Sequence, residues 1–316
     1  MPSVSIDPID ENEFRDASSW SDDPTRQGSY YGLKAKILTW MQCKNWKRIF
    51  RHQNFSDTIR GGLFCNSHFG VLQFFHSQAS KPNDENTYAV EPYNVTRNKI
   101  LGWLRFNYEI VLNSELLKLG YCKTFINMRN KSEYGGIDRG FLPADYDHNF
   151  FQCSSPTSLQ WIYHHKCENP LGSKDCKPIG DTKTYQIAAL GAIVHAVQDS
   201  YSQSHTKRGE CSTSNGKNDS KVNCGAIEQY YNYNAQNSDK HSESDTLPIS
   251  IDSGCDISSV DDVVTATARI LWHVSNETPV NVVMDYLSDT VFKSPYTDET
   301  SIPHWGLNES SGACYL

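Results

Sequence analysis

Residues 182–202, TKTYQIAALGAIVHAVQDSYS, decide the fold class of this 316-residue chain. This stretch is the most apolar of the predicted helices, and we therefore expect it to lie at the centre of a helical domain. Its longest apolar run, residues 188–197, is interrupted by Gly191 and His195. The run is far shorter than the roughly 18 to 20 apolar residues of a membrane span, so the sequence predicts no transmembrane segment.

Helical spacing of apolar residues continues on both sides of this stretch. The predicted helices cover residues 29–50, 66–79, 96–120, 156–165, 182–202, 259–275 and 278–289. Patterns typical of β-strands are scarce, so we predict an all-α fold with one mostly helical domain over residues 29–316. Residues 1–28 are acidic and polar and are interpreted as an extended or loosely packed N-terminal arm. The polar segment 206–257 is interpreted as an inserted loop, because structureless loops of that length in compact domains are usually functional or stapled.

The net charge of the chain argues against a nucleic-acid partner. The chain carries 29 Lys and Arg residues against 37 Asp and Glu residues, which gives a net charge of −8. A chain this acidic is poorly suited to hold an extended polyanion by its surface charge. We therefore expect no stable nucleic-acid partner.

The ten cysteines indicate the compartment. Their number is even and several lie in loops rich in Ser, Asn and Gly, which favours disulfides that tie the long loops in an oxidising compartment. Zinc binding by thiolates is the competing interpretation, although the sequence contains no CxxC pair. The N-terminus has neither the positive charge nor the apolar core of a signal peptide. We expect a secreted or periplasmic protein whose signal peptide is absent from this sequence, with a cytosolic chain as the alternative.

A spacing typical of metal ligands lies at the end of the central helix. His195 and Asp199 are four residues apart, so both side chains leave the same face of the helix, and His205 follows six residues later. An imidazole and a carboxylate one turn apart are good ligands for zinc. The alternative interpretation is a buried histidine that is hydrogen-bonded to an aspartate, with His205 in solvent.

Other histidines and carboxylates extend this pattern. The same i, i+4 spacing recurs in His241 with Asp245 and in His273 with Glu277, and further candidates are His68, Asp145, His164 and His165. Taken singly, each of these histidines is also explained as a solvated loop residue or as a hydrogen-bonded core residue. The histidines that show no spacing indicative of a ligand are His52, His76 and His304.

In their order along the chain, these motifs resemble the zinc-dependent phospholipase C superfamily, which also contains the single-strand-specific zinc nucleases. The core signature of that family, His-x3-Asp-x5-His, is matched by His195, Asp199 and His205. The other matches are Asn66-Ser67-His68, Ala144-Asp145-Tyr146, His165, and His241-Ser242 with Asp245. His164 is the alternative to His165. His273 and Glu277 are the alternative to His241 and Asp245. The matched region spans residues 66–245.

The resemblance implies a mostly helical fold around a cleft that holds two to three zinc ions. One ion would take Asp145, His165, His195 and Asp199; a second would take His205, His241 and Asp245; a third would take His68 and share Asp199. Asp145 would also serve as the general base for attack on a phosphodiester, and the clustered cations would stabilise the added negative charge.

One departure from the family concerns the third zinc ion. In the resembling phospholipases the mature chain begins with a tryptophan that ligates this ion through its own backbone, thirteen residues before the histidine of Asn-Ser-His. Here that position is Phe55, inside the chain, and Trp20 would become N-terminal only after cleavage. The third site would therefore use another ligand, such as an acidic residue of the N-terminal arm, or bind more weakly.

Two reactions fit the implied metals. A phospholipase C would release phosphocholine or a similar headgroup and diacylglycerol from a phospholipid at a membrane surface or in a micelle. Tyr146 matches a headgroup-pocket tyrosine of the family, and Trp161 and Tyr163 would add aromatic faces for a quaternary ammonium unless they are core residues. A zinc-dependent single-strand nuclease is the alternative, and a non-catalytic metal-binding interaction module is a third hypothesis.

Overall fold

The computed structural model describes residues 11–22, 66–68, 70–80, 91–142, 158–163, 165–167, 176–178, 180–209, 225–233 and 262–297. Within these ranges the helices are α1 (Glu11–Ser18), α2 (Tyr93–Leu112), α3 (Tyr121–Met128), α4 (Asp138–Phe141), α5 (Thr182–Asp199), α6 (Val263–Ser275) and α7 (Val280–Tyr286). Short 3₁₀-helices lie at Gln73–His76, Ser114–Lys118, Ser132–Tyr134 and Leu159–Ile162, and α7 continues as a π-helical turn at Leu287–Val291. The prediction of a mostly helical fold is confirmed.

Strands are few and short among these residues. β1 (His165–Cys167) pairs antiparallel with β2 (Cys176–Pro178), and β3 (Thr206–Arg208) pairs antiparallel with β4 (Ile227–Tyr230). β1 lies where the end of a short helix was expected. The β3–β4 pair lies within the segment interpreted as an inserted loop, which is therefore not wholly structureless. The disulfides of the loops stay a prediction.

Helix α5 lies at the centre of the described core. Residues 189–197 are all buried, as its apolar residues on every face predict. The carboxylate of Asp181 caps its first turn by accepting the backbone N–H of Thr184 at 2.8 Å. Helices α1, α2 and α6 and the 3₁₀-helix Gln73–His76 pack around α5. The C-terminal end of α5 is thus held from several sides.

The expectation of an extended or loosely packed N-terminal arm is wrong for residues 11–22. Helix α1 lies so close to α5 that a Cβ atom on Gly191 would come within 2.0 Å of the carbonyl oxygen of Ala17. Trp20 is 2% exposed, and its indole N–H donates to the carbonyl of Ala188 at 2.8 Å. Because the arm is acidic overall, its composition did not predict that Ala17 and Trp20 would be buried against α5.

The helix predicted over residues 66–79 is interrupted. Residues 66–68 are helical, Gln73–His76 form a 3₁₀-helix, and Ser77 ends it with a left-handed φ of 50°. Phe75 is fully buried and stacks on Trp103 of α2 with 4.1 Å between ring centroids. This aromatic contact fixes the backbone immediately before His76.

The remaining helix predictions differ from the structure mainly at their ends. The helix predicted over 96–120 corresponds to α2 and the 3₁₀-helix that follows it, and those over 259–275 and 278–289 correspond to α6 and α7. The helix predicted over 29–50 lies outside the described residues. Among the described helices, none is both long and apolar enough to cross a membrane.

Candidate metal centre

Four histidines and two aspartates converge near the C-terminal end of α5. They are Asp22, His68, His76, His195, Asp199 and His205. The four imidazoles are buried, and the side chain of Asp199 is 17% exposed. The side chain of Asp22 is 54% exposed and forms the solvent side of the cluster.

Ligand-type atoms of Asp22, His76 and His195 lie within 4.8 Å of one another, and Asp199 contacts both histidines. Nδ1 of His76 lies 2.9 Å from Nε2 of His195, 3.2 Å from Oδ2 of Asp199 and 3.4 Å from Oδ1 of Asp22. Nε2 of His195 lies 2.9 Å from Oδ2 of Asp199 and 3.6 Å from Oδ2 of Asp22. Zinc binds nitrogen and oxygen at about 2.0 to 2.2 Å, so tetrahedral ligand atoms lie roughly 3.3 to 3.6 Å apart. The contacts of 3.2 to 3.6 Å approach this spacing, whereas the two contacts of 2.9 Å are shorter and would have to lengthen around an ion.

The other two histidines extend the cluster through the two carboxylates. Nδ1 of His205 lies 3.5 Å from Oδ2 of Asp199, and Nε2 of His68 lies 3.7 Å from Oδ1 of Asp22. Each carboxylate has two oxygens with several lone pairs and can contact more than one cation. His68 therefore adds a ligand-type nitrogen beside Asp22, whereas Nδ1 of His205 also donates to the carbonyl of His76 and in that state cannot bind a metal.

Local structure explains why the C-terminal end of α5 presents these groups. His195 and Asp199 are one helical turn apart and point to the same side. The chain then turns, and the buried Arg208 holds this turn by donating to the carbonyls of Ser200 and Val291, each at 2.8 Å. The backbone that carries His205 is thereby tied to a distant part of the chain.

Each of three histidines has a second hydrogen bond that orients its ring. Nδ1 of His205 donates to the carbonyl of His76 at 2.8 Å, and Nδ1 of His68 lies 2.9 Å from the hydroxyl of Ser67. The ring of His195 is hydrogen-bonded to the backbone of Ser18. Such partners fix the orientation of an imidazole and leave its other nitrogen for a metal.

A proton on His195 offsets part of the negative charge of the two carboxylates. Burial alone would raise the pKa of Asp199, but His195 and His205 hold it well below its ordinary value. Burial alone would lower the pKa of His195, but the carboxylates of Asp199 and Asp22 raise it to about 10. A divalent cation would supply the same compensation and would displace this proton.

His76 is neutral at neutral pH. Burial and the adjacent His68 lower its pKa to about 4. Its Nδ1 faces the other ligand atoms, whereas its buried Nε2 has no hydrogen-bond partner among the described residues. A neutral imidazole has the lone pair that metal ligation requires.

The structure brings together four of the ligands predicted from the sequence, namely His68, His195, Asp199 and His205. His273 lies elsewhere: its Nδ1 is 3.2 Å from the hydroxyl of Thr278 and its ring packs against Tyr286, so it and the nearby Glu277 do not join the cluster. Residues outside the described ranges are Asp145, Tyr146, His164, His241 and Asp245, and His165 is described only as backbone of β1.

Tyr163 is a core residue and not an open aromatic face. It is 1% exposed, and its hydroxyl donates to Oδ1 of Asn107 at 2.8 Å. Its ring packs against Trp20 with 5.6 Å between centroids. Of the two interpretations given for Tyr163, the structure therefore agrees with a core residue.

Sequence reasoning missed two members of the cluster. His76 follows two buried phenylalanines in a segment whose helix is interrupted, so its spacing from His68 carries no helical signal. Asp22 is an acidic residue of the arm, as expected in general terms for an additional ligand. It could not be chosen from the sequence among the seven acidic residues of positions 1–28.

Comparison with known proteins gives no further assignment. No family model, no curated protein and no solved structure matches this chain. The functional conclusion therefore depends on the residues of the site.

Proposed function

We propose that this protein is a zinc-dependent phosphodiester hydrolase of the phospholipase C type. The observation that supports the proposal is the group formed by Asp22, His76 and His195, whose ligand atoms all lie within 4.8 Å of one another. Asp199 contacts His195 of this group at 2.9 Å, and His68 and His205 lie beside the two carboxylates. The same cluster contains the His-x3-Asp-x5-His signature, one of the motifs on which the resemblance is based.

The chemistry of the donor atoms favours zinc over other common divalent ions. Imidazole and carboxylate ligands in a compact group suit zinc, whereas magnesium and calcium are bound mainly by oxygen. The buried imidazoles of His76 and His195 provide two nitrogen ligands. When bound, zinc supplies a Lewis acid that stabilises negative charge developing at phosphorus.

Tyr233 lies at the edge of the cluster and suits a role in substrate binding. Its ring meets that of His68 edge-on with 4.7 Å between centroids, and the residue is partly exposed. Burial and the charges of Asp22 and Asp199 raise the pKa of Tyr233 to about 12. The hydroxyl therefore keeps its proton at neutral pH and can donate a hydrogen bond to a phosphoryl oxygen.

The substrate class is tested by product identification with dispersed phosphatidylcholine and the zinc-loaded full chain. We expect phosphocholine and diacylglycerol to appear, and we expect Asp199→Asn to abolish their release. Asp289→Asn removes an exposed carboxylate from the π-helical turn and should leave hydrolysis unchanged. Intact lipid together with cleavage of single-stranded nucleic acid would favour the nuclease instead. Failure to cleave either substrate while zinc is bound would contradict hydrolysis.

A further inference from the structure

We propose that residues 11–22 form a docked arm that completes the metal centre, so that docking of the arm and binding of the metal stabilise each other. The inference rests on the proposed metal site but not on hydrolysis. It assigns Asp22 as a ligand supplied by the arm and Trp20 as the positioning residue that holds the arm in place.

Trp20 anchors the arm in the hydrophobic core. Its ring packs edge-on against Phe75 and Tyr163, with centroid distances of 6.2 and 5.6 Å. Its indole N–H donates to the carbonyl of Ala188 on α5, which satisfies the one polar atom of a buried side chain. Removal of this ring would leave a large void where the arm meets α5.

Two backbone contacts place the arm directly beside the metal-site histidines. Gly191 lets the carbonyl of Ala17 approach α5 to a position that any side chain would block. One residue later, the backbone of Ser18 is hydrogen-bonded to the ring of His195. The arm therefore orients a predicted ligand as well as supplying one.

Asp22 joins histidines from separate parts of the chain. Its carboxylate lies 3.4 Å from His76, 3.6 Å from His195 and 3.7 Å from His68. A carboxylate at these distances from three imidazoles is placed to bind the same cation as His76 and His195.

Thermodynamic linkage then makes the coupling reciprocal. If the docked arm increases zinc affinity, bound zinc must favour the docked arm by the same factor. Removal of zinc should therefore loosen residues 11–22 more than the core of α5, and undocking of the arm should weaken zinc binding.

The coupling is tested by zinc competition titration and by hydrogen exchange of the full chain with zinc or with a chelator. We expect zinc to slow exchange in residues 11–22 of the wild type. Asp22→Asn keeps the core intact and should lower zinc affinity by about tenfold or more and abolish this protection. Trp20→Ala should also lower the affinity and speed exchange of the arm. Glu11→Gln, an exposed carboxylate on the same arm, is the matched control and should behave as the wild type.

Wild-type zinc affinity in both Asp22→Asn and Trp20→Ala would overturn the inference, whether or not the protein hydrolyses phosphodiesters. If Trp20→Ala does not fold, as judged by circular dichroism, the Asp22→Asn result decides alone. Zinc-dependent protection of the arm without any hydrolysis would support the inference while contradicting the proposed function.

Discussion

His76 and His195 are in contact but differ in protonation. The pKa of His76 is lowered to about 4 and that of His195 is raised to about 10, so near neutral pH only His195 holds the extra proton. Nε2 of His195 lies 2.9 Å from both Nδ1 of His76 and Oδ2 of Asp199. In the metal-free protein this N–H is thus shared between two acceptors at the position that a cation would take.

Substitution of His76 tests whether this histidine is a ligand. We expect His76→Ala to lower zinc affinity by about tenfold or more, because Nδ1 contacts three other ligand-type groups. His273→Ala is the control, since His273 contacts Thr278 outside the cluster and should leave the affinity unchanged. Competition with a chromogenic chelator measures both variants. Equal affinity in His76→Ala and the wild type would exclude His76 as a ligand.

The protonation of His195 predicts how the stability of the metal-free protein depends on pH. Its pKa is about 10 in the folded chain and about 6.5 in the unfolded chain. Its contribution to stability is therefore complete below pH 6.5 and is lost as the pH rises towards 10. Asp199, whose pKa is lowered, contributes stability above pH 4 that is lost in acid.

We expect the free energy of unfolding, measured with urea and a chelator, to fall by several kcal/mol from pH 6.5 to pH 10 in the wild type. His195→Gln removes the group and should show a smaller fall over the same interval. Parallel pH profiles for the two proteins would contradict the raised pKa of His195.

Spacing within one helix could be predicted from the sequence, whereas contacts between distant residues could not. His195 and Asp199 share a helical face by geometry alone, and His205 follows closely. His76 and Asp22 reach the same place only through packing of Phe75 and Trp20 into the core. Neither the packing of Phe75 nor that of Trp20 produces a periodic pattern in the sequence.

Among the helices, α5 could be predicted because apolar residues occupy every one of its faces. Helix α1 could not be predicted, because packing against the rest of the protein stabilises it. Residues 189–197 are apolar apart from His195, and the helix they form is the buried centre of the described core. Helix α1 has only eight residues, and a helix this short is marginal on its own. Its stability comes from contact with α5, which the composition of the arm does not reveal.

The β1–β2 hairpin predicts one disulfide pairing. Cys167 and Cys176 are directly opposite each other in the antiparallel register. Cα atoms of such partners lie about 4.5 to 5.5 Å apart, within the range that a disulfide bridges. We expect the two thiols to lose two protons and two electrons to an oxidant such as glutathione disulfide and to form one S–S bond.

Mass spectrometry of a non-reduced proteolytic digest of the oxidised full chain tests this pairing. We expect a linked peptide that contains Cys167 and Cys176 and that disappears after reduction. Pairing of either cysteine with a different partner would contradict the hairpin register.

Considered as a whole, the cluster is formed where three separate parts of the chain meet. Residues 11–22, the segment that ends at His76, and the end of α5 with the turn to His205 each supply at least one ligand-type side chain. The all-α fold followed from helical periodicity. The meeting of these parts depends on tertiary packing and on buried contacts such as those of Arg208.

The most direct test of a metal centre is the zinc content of the full chain after dialysis against zinc-free buffer. We expect at least one zinc ion per chain in the wild type and in the control Asp289→Asn. We expect loss of that ion in His195→Ala and in Asp199→Asn, because both substitutions remove side chains from the centre of the cluster. A wild type that retains no zinc, or variants that retain as much as the wild type, would exclude this cluster as a zinc site.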